Sequence, residues 1–195
     1  MIKVKGYVTE KELREGMLKL DNALDKFLLM AIYNGIVGRS CMSDLINLKK
    51  KDVDFENHCI KVGQLQIPMD KSFEKLTKEA IEQEYYYLEP TVSNTPEGYD
   101  LNNDSEYVLR TRPNSRNKNG TAPVNYDGLR NKVRGLCARA GLQSSASQLE
   151  TSGIINRMLK EKDNWTVLDV EFWLRTNNVK VNAYRLYSKI KKITG

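Results

Sequence analysis

Histidine is almost absent from this sequence, in which His58 is the only one among 195 residues. A single imidazole removes most histidine-based metal sites and most Ser/His or Cys/His nucleophile pairs. Cysteine is also scarce, and Cys41, Cys59 and Cys137 have neither a metal-type spacing nor an even number for disulfide pairing. We therefore expect three reduced, buried thiols in a cytosolic protein, and neither a metal ion nor a cofactor.

Long apolar runs are also missing. The longest, which begins at Phe27, is far shorter than the roughly 20 residues that a membrane-spanning helix needs. No signal peptide and no internal repeat is recognisable in the sequence. Hydrophobic residues make up 40% of the chain, which is enough for an ordinary core in one large domain or two small ones. We expect a cytoplasmic protein that has no membrane partner.

Positive charge, by contrast, is concentrated in one part of the chain. The whole chain has a net charge of +6, but residues 107–142 alone contain eight basic residues and one acidic residue, Asp127, a net charge of +7. The rest of the chain is therefore close to neutral, and the concentration of charge favours a polyanion as partner. The basic residues of this basic segment are Arg110, Arg112, Arg116, Lys118, Arg130, Lys132, Arg134 and Arg139.

The basic segment is predicted to form a strand, a loop and a helix. We expect the strand at Val108–Thr111 and a polar loop over residues 112–120. Asn125 is a good N-cap for a helix that extends to Ala140, and Gly141 is a good residue to stop it.

That helix is predicted to have a core side and a basic side. Helical spacing places apolar residues on one face and basic and aromatic residues on another, namely Leu129, Val133, Leu136 and Ala140 on the first and Tyr126, Arg130 and Arg134 on the second. Such a helix suits the major groove of DNA, where arginine can form two hydrogen bonds to guanine. A solvated basic face has the same pattern, so the residues alone leave both interpretations open.

Local signals predict the other elements. Thr9 and Glu12 form a capping-box pattern at the start of a short helix. Lys61 is interpreted as a solvated strand residue, and the run of three tyrosines at 85–87 as the edge of the core or a base-stacking surface. We predict helices over Asp25–Tyr33, from about Ser40–Ser43 to Leu48 and from Asp70 or Ser72 to about Tyr87, a hairpin of strands Cys59–Val62 and Leu65–Pro68, and an exposed acidic loop over residues 90–106.

One stretch of the chain has a sequence pattern that is typical of a known family. After the apolar helix, Ser43–Lys49 has the sequence S-D-L-I-N-L-K, and Asp52-Val53-Asp54 follows it. This resembles the S-E-L-L-x-L and D-V-D elements in the catalytic domain of the tyrosine recombinases, the phage integrase family. The resemblance extends over about residues 8–190. It implies a tyrosine recombinase catalytic-domain-like fold that is mainly α with a small antiparallel β-sheet (α+β).

The resemblance also implies a domain organisation. We expect a single integrase-catalytic-like domain over residues 1–195, with a short lead at residues 1–8 and an acidic insert at residues 90–106. The family carries a separate helical clamp domain ahead of the catalytic domain, and we expect it to be absent from this chain.

The family's catalytic positions look lost. In the register of the resemblance, the first catalytic arginine corresponds to Cys41, and the histidine and arginine of the H-x-L-R motif correspond to Ser147 and Glu150. A later histidine corresponds to Thr176, or to Arg175 if the register shifts by one residue. A carboxylate at position 150 would repel the phosphate that an arginine should bind. Tyr184 fits the position of the nucleophilic tyrosine best, although it also has the spacing of a core residue. The resemblance therefore implies a protein that is not an enzyme.

These observations predict a protein that binds double-stranded DNA sequence-specifically on an inactive recombinase scaffold. A phage or prophage transcriptional repressor that maintains lysogeny, located at the nucleoid of a bacterial host, is the function we expect. Self-association through the C-terminal segment, residues 188–195, is a further expectation from the resemblance. The predicted DNA contacts are Arg110, Arg112, Arg116, Lys118, Asn125, Tyr126, Arg130, Lys132, Arg134 and Arg139.

Two other functions stay open at this point. An active recombinase with relocated catalytic residues would need Arg39, Arg110 or Arg175 in place of the missing arginines, and Tyr184 or Tyr187 as nucleophile. An accessory interaction protein would have no DNA contact at all.

Overall fold

A computed structural model of the chain describes residues 4–38, 40–88 and 98–195. Within them the helices are α1 Glu10–Met17, α2 Ala23–Tyr33, α3 Ser43–Ile46, α4 Lys71–Glu82, α5 Tyr126–Arg139, α6 Ala146–Glu161, α7 Val167–Thr176 and α8 Ala183–Thr194. The strands are β1 Val53–Asp54, β2 Cys59–Val62, β3 Leu65–Pro68, β4 Tyr85–Tyr87 and β5 Gly98–Asp100. The predicted class, mainly α with small antiparallel sheets, is confirmed. None of these helices is both long and apolar enough to cross a membrane.

Helix α2 is the centre of the fold. All of its residues except Ala23 and Lys26 are buried, because α4, α5 and α6 pack around it. The closest approach is to α6, where a Cβ atom added to Gly153 would overlap the carbonyl oxygen of Tyr33. Glycine is therefore the residue that lets the two helices meet at this point. The apolar run predicted a buried helix here, and the helix begins slightly earlier than the predicted Asp25.

The capping box at the start of α1 is confirmed. The backbone N–H of Glu12 donates to the Thr9 hydroxyl over 3.2 Å, and the Glu12 carboxylate accepts from the Thr9 N–H over 2.9 Å. The neighbouring Glu10 joins α1 to α6, since its carboxylate accepts from Lys160 Nζ at 2.7 Å and also from Arg14. Burial opposes ionisation of this carboxyl, but the hydrogen bonds from Lys160 and Arg14 outweigh it and lower the pKa of Glu10 to about 2.

The predicted hairpin is confirmed with its predicted bounds. Strands β2 and β3 pair antiparallel with Ile60 opposite Ile67, and β1 adds a third antiparallel strand on the other side of β2. Lys61 is half-exposed and forms an ion pair with Asp54 at 2.8 Å. It therefore has the solvated position that the sequence predicted for it.

The tyrosine run at 85–87 is a strand, not the end of a helix. Asp70 caps α4 as predicted, but α4 ends at Glu82 and the tyrosines form β4, which pairs with β5. Polar side chains satisfy the extended backbone here, since the Gln83 amide accepts from the Leu24 N–H and donates to the Tyr85 carbonyl. These contacts and the partner strand outweigh the local preference for helix.

Residues 98–111 also differ from the prediction. Within the predicted acidic loop, residues 90–97 lie outside the described residues, residues 98–100 form β5, and Leu101 and Ser105 are buried. Val108–Thr111 is not a strand. Its backbone follows a single bridge from Tyr107 to Lys49, and three successive side chains from Val108 to Arg110 are buried. The segment crosses the core without a neighbouring strand, so no ladder forms.

The segment before α3 is irregular. Cys41 and Met42 have positive φ angles of 51° and 55°, a conformation that costs non-glycine residues free energy. The helix that follows, predicted to reach Leu48, ends at Ile46. Cys41 is exposed, which corrects the prediction of three buried thiols, whereas Cys59 and Cys137 are buried. Position 39 lies outside the described residues.

The buried apolar side chains form two cores that meet at α6. The larger core contains α1 to α5 and Leu149 from the first half of α6. The smaller core contains Ile154, Ile155 and Met158 from the rest of α6, together with α7 and α8. We call α7 and α8 the C-terminal helix pair.

Candidate nucleic-acid interface

Helix α5 has the two faces that its sequence predicted. Leu129, Val133 and Leu136 are buried against the larger core, whereas Arg130 and Arg134 are exposed. The Asn125 side chain accepts from the Gly128 N–H over 2.7 Å and so caps the helix. Two arginines one helical turn apart therefore project from a helix whose opposite side is fixed in the core.

Tyr126 does not share the open face of this helix. It is half-buried and packs against the larger core. The predicted face of Tyr126, Arg130 and Arg134 therefore consists of the two arginines, with the tyrosine beside the core.

The loop before α5 is an ordered platform for further cations. Asn114 and Asn117 exchange backbone hydrogen bonds of 3.0 and 3.1 Å, and the Asn117 side chain accepts from the N–H groups of Thr121 and Ala122. The charged side chains between and beside them, Arg112, Arg116 and Lys118, are all exposed.

Five cations of the basic segment thus lie at the surface of one helix and the loop before it. None of them forms an ion pair with any residue in the described part of the chain. They are Arg112, Arg116, Lys118, Arg130 and Arg134, which we call the basic face. Exposed cations without carboxylate partners are the groups that exchange counterions for phosphates.

Arg110 is not part of this face, which corrects its prediction as a DNA contact. Only 4% of its surface is exposed, and its guanidinium donates to the Ala80 carbonyl over 2.8 Å and to the Asn103 side chain. Burial lowers the pKa of the Arg110 guanidinium. The residue holds the segment before the loop against α4.

Lys132 also faces inward, although it was predicted to contact DNA. Its Nζ lies 2.8 Å from Oδ1 of Asp25 and 4.3 Å from the ring centre of Tyr86. Arg139, at the end of α5, lies 3.9 Å from the Asp21 carboxylate and is only partly exposed. Lys132 and Arg139 therefore engage the body of the protein, unlike Arg130 and Arg134.

Asp25 is the polar residue that sequence reasoning missed. It is fully buried, and besides Lys132 it accepts a hydrogen bond of 2.7 Å from the Tyr86 hydroxyl. Burial, and then the charge of Asp25, raise the pKa of Tyr86. The signal in the sequence was an acidic residue just before the apolar run of α2, because a buried carboxylate needs a partner cation or donor.

The positions that the sequence resemblance assigned to recombinase catalytic residues are spread over three helices and a loop. Cys41 precedes α3, Ser147 and Glu150 lie in the first turns of α6, Thr176 ends α7, and Tyr184 is on α8. Ser147 and Thr176 are exposed, and Tyr184 is 67% exposed and has no hydrogen-bond partner among the described residues.

Glu150 is half-buried, and burial raises the pKa of its carboxyl. Arg157, on the same helix, donates to the Tyr33 carbonyl over 3.2 Å and electrostatically favours the ionised form of Glu150. Arg175, a candidate for a relocated arginine, is exposed on α7.

Comparison with solved structures identifies the fold. The chain superposes on the crystal structure of XerA recombinase with a TM-score of 0.53 and 16% sequence identity, over 96% of this chain and 66% of the XerA chain. It thus spans just under two thirds of that recombinase, and the likeness at this identity concerns the fold. The chain has a tyrosine recombinase catalytic-domain-like fold, as its sequence predicted.

The chain can be assigned to a family, which is a more specific finding than its fold. Residues 7–171 match the family described as MrpR, C-terminal catalytic domain. The chain belongs to this family, which confirms the predicted recombinase resemblance. No curated protein matches the chain.

Proposed function

We propose that this protein binds double-stranded DNA sequence-specifically and represses transcription without cutting DNA. The observation that carries the proposal is the basic face, five exposed cations on α5 and its preceding loop that form no ion pair within residues 4–38, 40–88 and 98–195. The recombinase-type fold supports it, because the cations lie on one helix and the loop before it in a domain of that class. The bacteriophage or prophage setting and a role in lysogeny belong to the same proposal.

The two parts of the basic face have different roles in this proposal. Arg130 and Arg134 lie on a helix that can enter the major groove, and each can form two hydrogen bonds to a guanine. Arg112, Arg116 and Lys118 lie on a loop and contact phosphates, which positions the helix without selecting a sequence.

The absence of cleavage rests on the positions that correspond to catalytic residues. Phosphoryl transfer needs cations around the phosphate, and in the register of the family these positions hold Cys41, Ser147, Glu150 and Thr176. A half-buried carboxylate at Glu150 disfavours a phosphodiester beside it. A protein that binds DNA without cleaving it is suited to repression.

The experiment selects bound duplexes from fragmented phage or bacterial DNA and then measures their affinity across a salt series. We expect specific binding that exceeds binding to random duplex at least about 1000-fold, and a linear fall of log affinity with log salt. Equal affinity for all duplexes would contradict the sequence-specific part of the proposal. No binding at low salt would contradict all of it and favour an accessory interaction protein.

The exposure of Tyr184 favours one other function, an active recombinase, because a nucleophilic hydroxyl must be accessible. A nicked suicide duplex tests it, with Tyr184→Phe and Tyr187→Phe as paired variants. We expect no covalent protein–DNA product from the unmodified protein. A product that disappears only in Tyr184→Phe would establish cleavage and overturn the proposal of an inactive scaffold.

A further inference from the structure

A column of two stacked aromatic rings between two cations lies behind the basic face. Lys132 Nζ is 4.3 Å from the centre of the Tyr86 ring, and the rings of Tyr86 and Tyr99 are stacked with centres 5.1 Å apart and planes inclined by 22°. The guanidinium carbon of Arg112 lies 5.5 Å from the centre of the Tyr99 ring. These distances are within the range of cation–π and aromatic stacking contacts. The column therefore runs continuously from α5 through β4 and β5 to the loop.

The inner end of the column is fixed to the centre of the fold. Asp25, fully buried on α2, lies 2.8 Å from Lys132 Nζ and accepts from the Tyr86 hydroxyl at 2.7 Å. Tyr86 and Tyr99 are also opposite each other in the pairing of β4 with β5. Neither ring can move without disturbing a strand pair or a buried charge.

The outer end of the column is exposed. Arg112 belongs to the basic face and has no ion pair in the described ranges, so the Tyr99 ring is the one aromatic support described for it. The Arg112 guanidinium favours the ionised Tyr99 hydroxyl, but burial and the charge of Asp25 outweigh it and raise the pKa of Tyr99 to about 12. Tyr99 therefore stays a neutral ring at any physiological pH.

We propose that Tyr86, Tyr99 and Lys132 are positioning residues for DNA binding, which hold Arg112 and its loop at a fixed distance from Arg130 and Arg134 on α5. The inference rests on the proposed DNA-binding function. An arginine that is already stacked loses less side-chain freedom on binding than a freely rotating one. A fixed spacing between the two parts of the basic face also means that both fit one duplex only in one register. The column thus contributes to affinity and specificity although most of its members do not touch DNA.

The test compares Tyr99→Leu, which removes the ring but keeps an apolar side chain, with Tyr99→Phe, which keeps the ring. We expect Tyr99→Leu to weaken binding to the selected duplex by about 3- to 30-fold, the range that cation–π energies correspond to. Binding to random duplex should change less, and Tyr99→Phe should bind like the unmodified protein. Equal binding by Tyr99→Leu and the unmodified protein would overturn the proposal.

A double-mutant cycle with Arg112→Ala separates positioning from a merely structural effect. If Tyr99 acts by positioning Arg112, Tyr99→Leu should have little further effect once Arg112 is alanine. Independent losses that multiply in the double variant would overturn the positioning role. If Tyr99→Leu melts too early to be measured, Tyr99→Met replaces it in the same cycle.

The outcomes distinguish this proposal from the proposed function. If the unmodified protein binds no duplex at low salt, the proposed function fails and the positioning role fails with it. If the unmodified protein binds specifically and the cycle is multiplicative, only the positioning role fails.

Discussion

The basic face and the C-terminal helix pair are attached to the protein in different ways. Behind the basic face, Lys132 and Arg110 reach inward to α2 and α4, so buried polar contacts fix the surface that carries the exposed cations. The helix pair has a separate small core and exposes Leu168, Phe172 and Tyr184. The comparison teaches that buried polar contacts tie the basic face to the centre of the fold, whereas the helix pair that carries Tyr184 packs on the rest of the protein through α6.

The largest expected effect breaks both regions at once. Gly153→Ala would place a methyl group against the Tyr33 carbonyl and force α2 and α6 apart. We expect a loss of about 3–5 kcal/mol in the free energy of unfolding, the cost of a severe backbone clash in the core, measured by urea denaturation.

Gly135→Ala is the matched control, because an added Cβ at Gly135 meets no atom within 4 Å. It should raise stability by about 0.5–1 kcal/mol through helix propensity alone. Equal losses of unfolding free energy in the two variants would show that the close approach of α2 to α6 does not hold the two cores together.

The next effect breaks the support of the basic face. Lys132→Met keeps the apolar stem of the side chain but leaves the buried Asp25 without its cation. We expect a loss of about 3 kcal/mol in the free energy of unfolding, since an unpaired buried charge is costly. Arg134→Met, on the same helix but exposed, should stay within about 0.5 kcal/mol of the original protein. Comparable stability of the two variants would contradict the inward role of Lys132.

A smaller effect concerns DNA binding by the basic face itself. Arg130→Ala and Arg134→Ala should each weaken binding to the selected duplex by about 1–3 kcal/mol if the arginine contacts a base. Arg175→Ala, an exposed arginine on α7, should leave affinity unchanged and serves as the control from the other region. Equal losses on selected and random duplex would assign Arg130 and Arg134 to phosphate contacts only.

Low pH should weaken the ion pair between Glu10 on α1 and Lys160 on α6. The pKa of Glu10 is lowered to about 2 in the folded protein, so its contribution to stability is present above the ordinary value near 4.5 and is lost as the pH falls toward 2. Allowing for partial exposure, we expect a contribution of about 1 kcal/mol. Urea denaturation at several pH values measures it, and Glu10→Gln should remove this part of the pH dependence. An unchanged pH profile in Glu10→Gln would contradict the assignment.

The smallest expected effect concerns the exposed apolar side chains of the helix pair. Leu168→Ser and Phe172→Ser remove side chains that are 76% and 73% exposed, and each should change stability by less than about 0.5 kcal/mol. DNA affinity should not change in either variant if the two regions act separately. Weakened binding together with a smaller mass in solution would show that the pair joins two copies of the protein on DNA.

Sequence reasoning succeeded where the determinants are local. The Thr9 capping box, the hairpin around Gly63 and the cap of α5 at Asn125 depend on neighbours within a few residues, and each is present in the structure. The tyrosine strand β4 was missed because its partner β5 lies beyond residues 89–97. A local pattern cannot show such a partner.

The candidate site was predicted less completely for the same reason. Arg130 and Lys132 are two positions apart on one helix and both are basic, so the sequence pattern does not distinguish them. The buried Asp25, far away in the sequence, pairs with Lys132 and holds it inward, whereas Arg130 lies at the surface. Arg110 was misassigned in the same way, since the Ala80 carbonyl that binds it belongs to α4.

Under the proposed function, the buried Asp25–Lys132 pair also bears on how the protein could be changed to bind another DNA sequence. Positions 130 and 134 can change without disturbing the interior, because both side chains are exposed. Positions 25 and 132 have to change together or stay as they are, because a change at one of them alone would leave the other charge without its ion-pair partner. Selection experiments that diversify positions 130 and 134 and keep positions 25 and 132 constant should therefore change the preferred DNA sequence without lowering the stability of the fold.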